Sequence, residues 1–144
     1  MEKKSFRIDV VRKHPGNLTK KIKAVPFFLN RPPQTLRELI EESVRSCLAA
    51  YRARAERGKM PIPLTEEQWN EMREIGKFAF GVHENQNEVE EAHAIENAVS
   101  AVSDGLVRVF RDQTELATLD EKIEIAEGDV ITFVKLTMLS GRMW

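Results

Sequence analysis

The chain carries one cysteine, one tyrosine and two tryptophans in 144 residues. The single thiol, Cys47, excludes an intrachain disulfide and any metal site built on paired cysteines. The seven glycines are scattered rather than clustered, so there is no glycine-rich loop of the kind that cradles phosphates. No apolar stretch approaches the roughly 20 residues a transmembrane helix requires, and the first residues lack the pattern of a secretory signal. The simplest expectation is a cytoplasmic protein with no membrane partner. Net charge is −1, which supplies no overall attraction to nucleic acid or to an acidic membrane.

Charge that is small in sum is uneven in placement. Residues 1–31 hold nine Lys/Arg against two Asp/Glu, a balance of +7, whereas residues 84–129 hold three against thirteen, a balance of −10. Such runs usually mark solvated faces. The basic part includes Lys20, Lys21 and Lys23 but lacks the interleaved aromatics that stack on bases. These lysines read as the solvent side of a hairpin, and nucleic acid is not an expected partner.

The most apolar stretch comes last. Glu127-Gly128-Asp129 is a turn that launches Val130 to Leu139, in which Lys135 is the only charge. A run this β-branched suits a strand inside a sheet with both faces covered. A short tail follows, Ser140-Gly141-Arg142-Met143-Trp144.

The rest of the chain alternates between two periods. Phe6, Ile8 and Val10 face one way and Arg7 and Asp9 the other, which predicts a half-buried strand over residues 5–11. Lys13-His14-Pro15-Gly16-Asn17 is turn chemistry, and Leu18 to Leu29 returns as a second strand, with Pro26 near its end or on an edge. Thr35 and Glu38 form a capping-box pattern after Pro32-Pro33. They open a helix whose stripe is Leu36, Leu39, Ile40, Val44, Cys47, Leu48 and Tyr51, with Glu41 and Arg45 spaced for an i,i+4 pair and Gly58 as its stop. Cys47 lies mid-stripe and reads as a small buried hydrophobe. Thr65 with Gln68 caps a second helix, from Glu66 to about Phe78, carrying Trp69, Met72, Ile75 and Phe78. A third, from Glu88 to about Val102, has Ala92, Ile95, Val99 and Val102 as its buried line and ends at Ser103-Asp104-Gly105. Period two resumes in Leu106–Phe110 and Thr114–Thr118 before the final strand.

Without residues 59–104 the order is strand, strand, helix, strand, short strand, strand. A right-handed connection then sets the last strand beside the first, parallel to it, at the sheet's centre. This predicts an α+β fold, a β-grasp in one domain spanning 1–144. Its core is 4–57 and 105–139, a helical hairpin is inserted at 59–104, and a flexible tail occupies 140–144. The insertion's Trp69, Phe78 and Phe80 are either core or a partner surface.

The segment Asp104-Gly105-Leu106-Val107-Arg108-Val109-Phe110, then Leu119, then Ile123-x-Ile125-x-x-Gly128-Asp129-x-Ile131-x-Phe133 and Ser140-Gly141 resembles the C-terminal half of ubiquitin-like β-grasp proteins. It is most similar to the small sulfur carriers of molybdopterin and thiamine synthesis (MoaD and ThiS type) and to bacterial ubiquitin-like proteins. The resemblance implies a non-enzymatic protein modifier or carrier whose terminal glycine carboxylate is adenylated and then converted to a thioester, thiocarboxylate or isopeptide. The partners it implies are an adenylating activating enzyme, a conjugating enzyme and a tail-processing peptidase. In that family the tail ends in Gly-Gly. Here Gly141-Arg142 stands in its place and Met143-Trp144 follow, so either a peptidase cleaves before Arg142 to expose Gly141 or the tail is never activated. In the second case the chain is a protein–protein interaction adaptor that forms no covalent bond.

Other constellations are weaker. His14-Pro15-Gly16-Asn17 resembles the His-Pro-Asn motif of ubiquitin-conjugating enzymes, but no catalytic cysteine follows closely. His83, Glu90 and His93 lack metal-ligand spacing and read as solvated. No Ser-His-Asp arrangement or catalytic carboxylate pair is visible, so no enzyme activity, cofactor or metal is expected.

Overall fold

The computed structural model describes residues 6–13, 23–57, 64–82 and 91–135. In chain order these form β1 (Phe6–Lys13), β2 (Val25–Leu29), α1 (Leu36–Arg57), α2 (Glu66–Ile75), a π-helical turn (Gly76–Phe80), α3 (Glu91–Ser103), β3 (Val107–Arg111), β4 (Thr114–Leu116) and β5 (Val130–Lys135). The fold is α+β, with one mixed five-stranded sheet in the order β2-β1-β5-β3-β4. As the sequence predicts, β5 occupies the centre. It runs parallel to β1, with Val10 opposite Ile131, and antiparallel to β3, with Val109 opposite Phe133.

All three helices contribute to one core with the same side of the sheet. Ile8, Val10, Val25, Phe27, Val107, Val109, Ile131 and Phe133 meet Leu36, Leu39, Ile40, Val44, Cys47, Met72, Ile75 and Phe80. Alternation makes this possible, because every second strand residue points the same way. The expectation that both faces of the last strand are covered is corrected. Ile131 and Phe133 are buried, but Val130, Thr132 and Val134 are only half-buried.

The first capping box is half as expected. The Glu38 amide donates to Thr35 Oγ1 at 3.1 Å, while the Glu38 carboxylate accepts from the Gln34 amide at 2.9 Å, one residue beyond the capping residue. Thr35 is itself engaged in an isolated antiparallel bridge with Lys122. Around that bridge the Ile123 amide donates to Gln34 O, the Arg37 amide donates to Leu119 O, and the Arg37 guanidinium clasps Asp120 at 2.8 and 3.2 Å. The Arg37 hydrogen bond holds the Asp120 carboxyl below its usual pKa. These contacts tie the long loop before β5 to the start of α1. The second capping box, Thr65 with Gln68, is complete at 3.0 and 3.1 Å.

Three local expectations are corrected. Arg45 pairs with Glu42 at 3.1 Å and Glu91 at 3.5 Å rather than with Glu41, and Arg52 joins Glu91 at 2.7 Å. The buried residues of α3 are Ala94 and Ala98, flanked by half-buried Ile95, Val99 and Val102, while Ala92 is exposed. Small side chains let α3 lie close on α1. The second helix stops at Ile75 and continues as the π turn, closed by Gly81 at φ 68°. The wider turn advances the phase, so Phe80 is buried and Phe78 half-buried. The helical residues between α1 and β3 therefore complete the core.

Candidate functional site

The described part of the central strand β5 ends at Lys135, between its two neighbours. Lys135 sits opposite Val107 of β3, and Val134 lies between Lys13 of β1 and Arg108 of β3. At this end of the sheet α3 closes in a two-bond cap. The Leu106 amide donates to Ala101 O at 2.9 Å and the Gly105 amide to Val102 O at 3.0 Å, with Gly105 at φ 79°. A left-handed residue closing a helix in this way is the Schellman arrangement. It leaves Leu106 44% exposed, the exposed large hydrophobic side chain among the described residues. This end of the sheet thus carries two exposed cations, Lys13 and Arg108, and one exposed leucine.

This end of the sheet is braced from the core side by α2 and the π turn. Arg12, one residue before Lys13, donates from Nε to Glu71 Oε2 at 2.6 Å and from Nη2 to Oε1 at 3.3 Å. Its guanidinium lies 5.9 Å from the Phe78 ring centre, a geometry that combines charge pairing with attraction to the ring face. Phe80 meets Phe133 edge-on with ring centres 5.3 Å apart. Residues 71–80 thus hold both β1 and β5.

The positions singled out in the sequence fall in three groups. Ser140, Gly141, Arg142, Met143 and Trp144 lie outside the described residues, as do His14–Asn17, Lys20, Lys21, His83 and Glu90. Trp69 and Phe80, read as a possible partner surface, are instead core residues at 3% exposure each, and Phe78 is half-buried beneath Arg12. The tryptophan packs edge-on to Tyr51, with Arg54 over its ring at 4.9 Å. Cys47 is fully buried, as expected of a small hydrophobe, and burial pushes its thiol up to about 12 against the opposing hydrogen bond from Tyr51. Lys23 is exposed and lies 3.6 Å from Glu67; His93 is exposed on α3.

Among the described residues no group of three or more His, Cys, Asp or Glu is placed to hold a metal ion, and no helix is long and apolar enough to cross a membrane. A surface groove of about 460 Å³ lies at the other end of β5, lined by Pro32, Pro33, Arg111, Lys122 and Ile123 among others. Arg111 Nη1 donates there to the Glu124 carbonyl. The Arg12–Glu71 pair is the feature that reading by segment missed. The available signal was that Arg12 continues the inward set Ile8, Val10, while Glu71 falls beside Met72 on the buried side of its helix.

Comparison with known proteins finds no matching family model, no similar curated protein and no similar solved structure.

Proposed function

We propose that the chain is a non-enzymatic ubiquitin-like modifier or carrier on a β-grasp scaffold, with the segment after β5 as its working part. The observation that carries this reading is the strand order, with the last strand central, parallel to the first and antiparallel to the third. A long helix, α1, lies between the opening hairpin and the later strands. Such an arrangement holds the start of a terminal tail rigidly while leaving its continuation able to reach a partner. Glycine suits the reacting end, since a narrow channel admits its backbone and tolerates its unusual angles.

In this reading a peptidase cleaves before Arg142, and the exposed Gly141 carboxylate is then activated by an adenylating enzyme and passed on as a conjugate or a sulfur carrier. Lys13, Arg108 and Leu106 frame the approach to the tail. The test is intact-mass measurement of the protein from its native host. Loss of residues 142–144, or an adduct on Gly141, is expected. A terminus that is Trp144 and unmodified in every sample contradicts the proposal and leaves the non-covalent adaptor as the reading.

A further inference from the structure

The groove at the start of β5 opens where a ladder is interrupted. The Thr35–Lys122 bridge and the bond from the Ile123 amide to Gln34 O begin an antiparallel pairing. The next rung would join Ile125 to Pro32, and proline has no N–H to donate. That rung is not made, and the Ile125 N–H has no acceptor among the described residues. Lys122 to Ala126 alternate exposed and half-buried, as an extended chain does, so Ile125 carries its amide on the same side as Ile123. The two segments bound a space of about 460 Å³ instead, within the size range of small-molecule sites.

Two unpaired cations line this space. Arg111 donates from Nη1 to the Glu124 carbonyl, whereas its buried Nε and its Nη2 have no partner among the described residues. No carboxylate pairs with it there, although Arg12, Arg37, Arg52 and Arg108 each hold one. Lys122 is exposed, and its ammonium also has no partner among the described residues. A half-buried guanidinium left in this state points to an acceptor that the chain itself does not supply. Buried Pro33 and half-buried Ile123 and Ile125 provide apolar walls, and Glu124 is the single acid in the lining.

We propose that this groove binds a small organic acid, a monocarboxylate on a branched apolar body. Its carboxylate takes the Arg111 guanidinium and the Ile125 N–H, the stronger kind of hydrogen bond because one or both partners are charged. Lys122 adds its charge, and the hydrocarbon lies on Pro33 and Ile123. Inorganic phosphate is the poorer fit, because it leaves the apolar walls uncovered and brings a second negative charge towards Glu124. The site does not depend on the carrier reading, since it lies at the opposite end of β5 from Lys135.

The test is an NMR titration of the full chain with isocaproate, followed at backbone amides and at the arginine side chains. Saturable shifts centred on Ile125 and Arg111 are expected, with the millimolar affinity usual for so small a ligand. Arg111→Gln should weaken binding by about tenfold, the worth of one charge-assisted hydrogen bond, and Lys122→Gln by less. Isocaproamide, which keeps the shape and loses the charge, should leave the same signals unmoved, a comparison that needs no variant. Absence of saturable shifts overturns the proposal, as does an equal response to the amide. Phosphate binding as strong as isocaproate, or an Arg111→Gln chain that keeps its spectrum and its affinity, overturns it as well.

Discussion

Phe133→Ala is expected to lower stability by about 3–5 kcal/mol, the range for emptying a buried aromatic site. Phe133 is 1% exposed on the central strand, stands between Arg12 and Val109 in the neighbouring strands, and meets Phe80 edge-on. Its ring is one of the points at which the sheet packs on the π turn, so its removal leaves a void that neither can fill alone. Small domains are stable by only about 5–15 kcal/mol, so the variant should sit near the edge of folding. At roughly 3–4 °C per kcal/mol for a chain of this size, the melting temperature should fall by about 10–20 °C. Phe110→Ala on the opposite side of the sheet is the control. Its side chain is half-buried, and the loss should be several-fold smaller. Equal losses at the two positions would mean that the sheet has no distinct inner side.

Gly76→Ala should also destabilise, against its usual sign. Gly76 has φ −58° and ψ −45°, ordinary right-handed helix, where alanine is normally favoured over glycine by about 0.5–1 kcal/mol. Here a Cβ would overlap the Tyr51 hydroxyl and stand 3.0 Å from Cys47 Sγ and 3.2 Å from the Val82 side chain. Overpacking of a filled core costs about 1–3 kcal/mol, so the clash wins. Tyr51→Phe removes the atom that would be struck. The Gly76→Ala/Tyr51→Phe pair should therefore be more stable than the sum of the two single changes, a coupling that urea denaturation of all four proteins measures. A neutral or stabilising Gly76→Ala would show that the π turn lies further from α1.

Much of the scaffold can be read from local patterns because local chemistry determines it. The start of α1, the Thr65–Gln68 box and the central position of β5 follow from caps, period and the β-branched run. What escapes local reading depends on distance. Arg45 chooses Glu42 and Glu91 over Glu41 because α3 arrives beside α1, and the period of α3 alone does not say whether Ala92 or Ala94 turns inward. Trp69 and Phe80 look the same in sequence whether they dock a partner or fill a core. The π turn decides for Phe80, and it begins where Gly76 packs against Tyr51 and Cys47, residues 25 and 29 positions earlier. Arg12 and Glu71 meet only because α2 crosses the end of β1. For the candidate site, the grouping of Lys13, Leu106 and Arg108 at one end of the sheet needed the strand register.

The proposed function rests on β5 having a neighbour on each side. Backbone proton contacts in solution by NMR test this most directly. The account predicts Val10–Ile131 and Arg12–Phe133 contacts in a parallel pattern on one side, together with Val109–Phe133 and Val107–Lys135 contacts in an antiparallel pattern on the other. Contacts on a single side of β5, or an antiparallel pattern with β1, would contradict it.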